Sequence, residues 1–193
     1  MWHNIILLFP KLINNPTLLS LLEINNPLIF DDTGIRKLPE DEKLIQCEKI
    51  IKYEKDESMR WDAVCLAGEI GTSTNVGDSK KYLFDKVSDL MAWVLKNDEN
   101  GVVKHEACYQ IATRNMRNNI PDLVHASLHD ANVLTRHEAL ESLGLMRATE
   151  VVDIIKNRLS DPSIDVQETA HFILKRLKYM QQLKGEYEPS SIL

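Results

Sequence analysis

The chain has no surplus of basic residues, no long apolar run and few cysteines, and each absence narrows what it can be. Lys plus Arg number 23 against 29 Asp plus Glu, a formal charge of −6. That balance argues against nucleic acid held by sequence-independent electrostatics, which needs an excess of cationic side chains. No stretch reaches the ~20 consecutive apolar residues that a membrane-spanning helix needs. Even the apolar opening, MWHNIILLFPKLINNPTLLSLLEINNPLIF, is interrupted by Pro10, Pro16 and Pro27. It also lacks the basic start and small-residue cleavage site of a secretory signal, and the Arg-rich pattern of a mitochondrial presequence. The three cysteines, Cys47, Cys65 and Cys108, are odd in number and lack metal-type spacing. That usage points to free thiols in a reducing, cytoplasmic compartment. Cys65 and Cys108 fall in apolar helical stretches and are expected to be small core residues. No period-two alternation of useful length occurs, so a sheet is not expected.

What is present is a helical pattern in a chain of 193 residues with 44% hydrophobic and 27% charged content, enough for one domain with a buried core. From about Leu38 the apolar residues recur at helical spacing. Leu44, Ile45, Ile50 and Ile51 mark one helix, and SMRWDAVCLAGEIG reads as its partner. Gly71 to Lys80 reads as a loop. Leu83 to Leu95 and Val103 to Thr113 form a second pair. Ile120 to Leu128, with Pro121 in the first turn, opens a third pair, whose partner helix carries Ala139, Leu140 and Leu143. Val151 to Leu159 and Val166 to Leu177 make the fourth, separated by Asp161-Pro162. The expected fold is all-α, a short α-solenoid of four helical hairpins. The expected boundaries are an irregular extension over 1–38, the repeats over 39–183 and a flexible tail over 184–193.

A His-Glu dipeptide occurs twice, His105-Glu106 in VVKHEACYQIA and His137-Glu138 in LTRHEALESLG, with the copies 32 residues apart. A fixed period of that size brings equivalent residues of stacked hairpins side by side. Aligned by apolar pattern, the second helices read Arg60-Trp61-Asp62-Ala63, Lys104-His105-Glu106-Ala107, Arg136-His137-Glu138-Ala139 and Val166-Gln167-Glu168-Thr169. The helix dipole alone accounts for acidic residues in a first turn, but not for histidines confined to the two inner copies. Packed helices lie ~8–10 Å apart, so two imidazoles from neighbouring repeats can reach one ion. Two His and a carboxylate on an open face suit ferrous iron, and zinc accepts the same ligands. His125 and His129, on a first helix, His171, read as partly buried, and His3 receive no ligand role.

With two His-Glu repeats flanked by undecorated ones, the chain resembles the deoxyhypusine hydroxylase family of HEAT-repeat monooxygenases. The likeness runs from about Asp41 to Gln182 and rests on VVKHEACYQIA, VLTRHEALESLGLM and DPSIDVQETAHFILKRLKYMQQ. It covers that family's N-terminal half. The resemblance implies HEAT-like hairpins, iron ligation by His105, His137 and Glu138, and a substrate-binding Glu106 that contacts protonated amines. It implies Fe(II) as cofactor and the deoxyhypusine form of eukaryotic translation initiation factor 5A as partner. Family enzymes carry four His-Glu motifs in two halves around a two-iron cleft, so a chain with two motifs is expected to act as a homodimer. Ala112 stands where the family usually has Gly, and Leu134 where Met is common. The rival expectation is a non-catalytic scaffold that presents the repeat surface to another protein.

Overall fold

The computed structural model describes residues 32–71 and 78–187. Most of the expected extension, the end of the expected tail and residues 72–77 of the expected loop lie outside these residues. Among the described residues every regular element is helical, as expected. A short helix α1 (Thr33–Arg36) precedes the repeats, within the stretch expected to be irregular. Its Arg36 pairs with Glu69. Four hairpins follow: α2 (Glu40–Tyr53) with α3 (Glu57–Ile70), α4 (Asp78–Asn97) with α5 (Gly101–Thr113), and α6 (Ile120–His129) with α7 (Val133–Leu145). The fourth pairs α8 (Val152–Ile155), continued as a 3-10 segment (Lys156–Ser160), with α9 (Ile164–Tyr187).

The second helices start where a short polar side chain caps them. Asp56 accepts from the amides of Ser58 and Met59, Asn100 from Val102 and Val103, and Asn132 from Leu134. Each cap satisfies backbone donors that a helix start leaves over, worth roughly 1 kcal/mol. Two second helices also stop alike. Asn115 and Arg147 take φ values of 52° and 54°. The amides of Met116 and Ala148 then reach back 3.0 Å to the carbonyls of Ile111 and Leu143. This is a left-handed C-terminal stop in which the following apolar residue turns into the core; Met116 and Ala148 are fully buried.

The hairpins stack in two layers. The first helices α2, α4 and α6 contact one another in order, and α3, α5, α7 and α9 do the same. Close approach within the second layer follows from small residues. Ala63, Ala107, Ala139 and Ala170 occupy one row and are all fully buried. Five residues on, Gly68, Ala112 and Gly144 occupy another. A Cβ on Gly144 would lie 2.4 Å from Ile173 Cδ1, so α9 packs against bare backbone there. Ile51, Leu66, Met91, Ile111, Leu123, Leu140, Leu143, Ile155 and Leu177 fill the space between layers. Cys108 is buried as expected, whereas Cys65 is only partly buried. His171 is exposed rather than partly buried, beside an exposed Phe172.

Candidate metal centre

A ladder of ion pairs sets the register of the second helices. Each basic residue opening a second helix bonds the aspartate that starts the next repeat's turn. Arg60 reaches Asp98 at 2.8 and 3.1 Å, Lys104 reaches Asp130 at 2.7 Å, and Arg136 reaches Asp161 through two bonds of 2.9 Å. Those carboxylates are nearly inaccessible and also accept the amide two residues on, in Asn100, Asn132 and Ser163. Arg60 and Arg136 donate in addition to the carbonyl six residues back, at Glu54 and Asp130. In the fourth repeat Gln167 makes that bond, Nε2 donating to the Asp161 carbonyl at 2.7 Å.

Gln167 is therefore the counterpart of Arg136, one position away from the alignment by apolar pattern. The corrected rows read Trp61, His105, His137, Glu168 and Asp62, Glu106, Glu138, Thr169. The fourth repeat has a threonine, not a carboxylate, opposite the inner His-Glu pairs. Burial of Ala170 beside Ala139 and Ala107 agrees with this register.

The rows put each histidine against the following residue type of the next repeat. His105 Nε2 lies 3.0 Å from Glu138 Oε2. His137 Nδ1 lies 2.7 Å from Thr169 Oγ1. Glu138 is only 4% exposed, so its charge needs the partner that His105 provides. Burial alone lowers the His105 pKa, but the hydrogen bond and charge of Glu138, with Glu106 and Glu141 nearby, outweigh it and raise the pKa above its usual value.

Thr169 fixes the tautomer of His137. The Thr169 hydroxyl donates its only hydrogen to the Asp165 carbonyl at 2.7 Å, so its oxygen accepts from His137 Nδ1–H. The neutral ring then carries its lone pair on Nε2, on the side of Glu141 Oε1 at 3.8 Å. A backing hydrogen bond of this kind accompanies most metal-ligating histidines. His137, Glu138 and Glu141 each offer a donor atom, and the three lie within 4.8 Å of one another. Donors at ~2.0–2.2 Å from a shared ion are themselves roughly 3–4 Å apart, so a small side-chain rotation makes this a fit. His105 adjoins the cluster through Glu138.

Glu141 is a residue the sequence reading missed, and its signal was present: it follows His137 by four, which puts both on one helix face. Thr169 was missed because the fourth repeat was aligned one residue off.

Glu106 faces elsewhere. It is 8% exposed, accepts a hydrogen bond from Gln110 Nε2 and adjoins the Cys65 thiol of α3. Burial, then the Glu106 charge and hydrogen bond, push the Cys65 thiol well above its usual range, which keeps it protonated as a donor. Gly68 admits this arrangement, since a Cβ there would lie 2.0 Å from Gln110 Oε1. The two carboxylates of the His-Glu pairs are thus held differently, Glu138 beside the His105 imidazole and Glu106 beside Gln110 and Cys65 with the Arg114 charge nearby. His125 and His129 lie on α6, in the other layer; His3 is outside the described residues.

Residues 88–180 match the family model for HEAT repeats. The chain is 37% identical to human deoxyhypusine hydroxylase over 100 residues, which is 50% of this chain and 33% of that protein. The Bos taurus deoxyhypusine hydroxylase is 34% identical over 100 residues, again 50% and 33% of the two chains. That of Arabidopsis thaliana is 33% identical over 97 residues, 49% and 31%. The chain spans about a third of the length of the curated relatives it matches. Among solved structures, human deoxyhypusine hydroxylase in complex with glycerol aligns with a TM-score of 0.59 at 24% identity, over 75% of this chain and 46% of that one. An engineered protein aligns with a TM-score of 0.50 at 16% identity, over 77% and 67%. These two likenesses establish the fold; the resemblance to deoxyhypusine hydroxylase read from the motifs is borne out by the curated relatives.

Proposed function

We propose that the ledge of His105, His137 and Glu138 is an iron centre and that the chain is a deoxyhypusine hydroxylase-like monooxygenase. Its substrate on this reading is the deoxyhypusine side chain of eukaryotic translation initiation factor 5A, converted to hypusine in the cytoplasm. The observation that carries the reading is the 3.0 Å approach of His105 Nε2 to Glu138 Oε2 across a repeat boundary, beside the donors of His137 and Glu141. The similarity to curated deoxyhypusine hydroxylases over half the chain supports it.

Two imidazoles and a carboxylate on an open face form the ligand set of non-haem ferrous sites, and such an ion supplies the activation of dioxygen. The other tasks fall to side chains. His105, His137 and Glu138 hold the ion, Thr169 keeps the His137 Nε2 lone pair toward it, and Glu141 adds negative charge at its edge. Glu106, set by Gln110 and Cys65, binds a protonated amine of the substrate and so fixes which carbon is presented. With two His-Glu pairs per chain, the complete cleft forms between two copies of the chain and holds two irons.

The test is anaerobic loading with Fe(II), followed by iron per chain, mass in solution and deoxyhypusine hydroxylation of the same preparation. About one iron per chain, a dimer and turnover are expected. A chain that binds no iron and is inert would instead fit a scaffold. The exposed Tyr109, Leu145 and Phe172 on the second helices would then be its contact residues.

A further inference from the structure

The first-helix layer carries a second pair of imidazoles. His125 and His129 are four apart on α6, so one helical turn sets them on the same face. Both are exposed, with ring centroids 4.9 Å apart and ring planes inclined by 51°. They line a groove of about 260 Å³ that also contains Lys96, Lys104, Asp122 and Asp130. The groove's ammonium groups are already engaged, Lys96 with Asp122 at 2.8 Å and Lys104 with Asp130 at 2.7 Å. Its ammonium and carboxylate charges are arranged in pairs, beside the two imidazoles.

The spacing of the rings allows a shared ion once each ring turns a nitrogen toward it. A ring nitrogen ligates at ~2.0–2.1 Å, which puts the ring centroid roughly 3.2 Å from the ion, and two rings at about 90–110° then have centroids about 4.5–5.2 Å apart. The observed 4.9 Å falls inside that interval without any movement of the helix. A rigid helical turn also removes most of the ordering cost of bringing two ligands together.

We propose that His125 and His129 form a bidentate surface site for a divalent late transition metal of the Zn(II) and Cu(II) class. Imidazole nitrogen selects that class, whereas Mg(II), Ca(II) and Mn(II) prefer all-oxygen ligands. Water completes the coordination on the open side of the groove. The site is separate from the ledge and does not depend on the proposed hydroxylase reading.

The experiment is calorimetric titration of Zn(II) into the full chain carrying His105→Ala and His137→Ala, which silences the ledge. One Zn(II) site per chain is expected. Adding either His125→Ala or His129→Ala should weaken it at least tenfold, with helix content unchanged because both rings are solvent-exposed. The Hε1 resonances of His125 and His129 should shift together as Zn(II) is added. No Zn(II) binding in the ledge-silenced chain overturns the proposal. So does binding that persists unchanged when both α6 histidines are replaced.

Discussion

His137 and Thr169, 32 residues apart, are joined by a 2.7 Å hydrogen bond whose direction is fixed by the Thr169 bond to Asp165. One hydroxyl hydrogen, already committed, decides which imidazole nitrogen of the neighbouring repeat can bind a cation. Thr169→Val keeps the shape and removes the acceptor. It should weaken Fe(II) binding by about 10–100-fold, the usual effect of losing a backing hydrogen bond. Thr169→Ser should restore binding. Equal affinities of the Thr169→Val variant and the parent chain in an anaerobic titration would refute the tautomer argument.

Replacing a ligand should do more than replacing its support. His105→Ala and His137→Ala are each expected to abolish iron binding while leaving the helical circular dichroism intact, since both side chains are partly exposed. Iron retained at parental stoichiometry in either variant would show that the site lies elsewhere.

Iron should also drive association. An ion that binds the dimer better than the monomer stabilises the dimer by mass action. Sedimentation is expected to show a shift toward dimer as Fe(II) is added, with hydroxylation rising faster than linearly at low protein concentration. Full activity in a strictly monomeric, iron-loaded chain contradicts the two-copy cleft.

Gly144→Ala tests the packing that brings the ledge together. The new methyl meets the buried Ile173 side chain at 2.4, 3.2 and 3.3 Å. Overpacking of this kind costs about 1–3 kcal/mol, measurable as a lower midpoint of chemical denaturation. Gly68→Ala should act on Glu106 instead, since its methyl would displace the Gln110 amide that holds that carboxylate.

Asp161 should make the fold acid-sensitive. Burial opposes its ionisation, but the bonds from Arg136 and from the Ser163 amide, with the Arg136 and Arg158 charges, lower its pKa below the usual value. A carboxyl whose pKa is lowered in the folded state contributes stability that is fully present above the unfolded value of about 3.9 and is lost as pH falls through the folded value. Unfolding midpoints should therefore decline below about pH 4. Asp161→Asn should flatten part of that decline and reduce stability at neutral pH, by about 3–5 kcal/mol, because Arg136 loses its buried partner. An unchanged acid profile in Asp161→Asn would exclude this aspartate as the cause.

The helices and the pairing of two His-Glu motifs on neighbouring repeats were legible in the chain before any packing was known. Apolar spacing is a local, 3.6-residue signal, and it located the four hairpins from Leu44 to Leu177. The doubled His-Glu motif singled out His105, His137 and Glu138, and the structure puts them on adjacent helices. Which atoms meet is a matter of packing alone. Register between second helices comes from the ladder of Arg60, Lys104 and Arg136 onto the aspartates of the following repeats, contacts that a periodic pattern does not encode. That ladder, with the bond from Gln167 to the Asp161 carbonyl, moved the fourth repeat by one residue and set Thr169 behind His137. Cys65 reads as an ordinary core residue in its own helix; only the approach of α5 turns its thiol toward Glu106. A helix fixes the face on which each side chain stands, but the partner across the gap depends on how deeply the neighbouring helix packs, and that is set by small residues and buried charge pairs far apart in the chain.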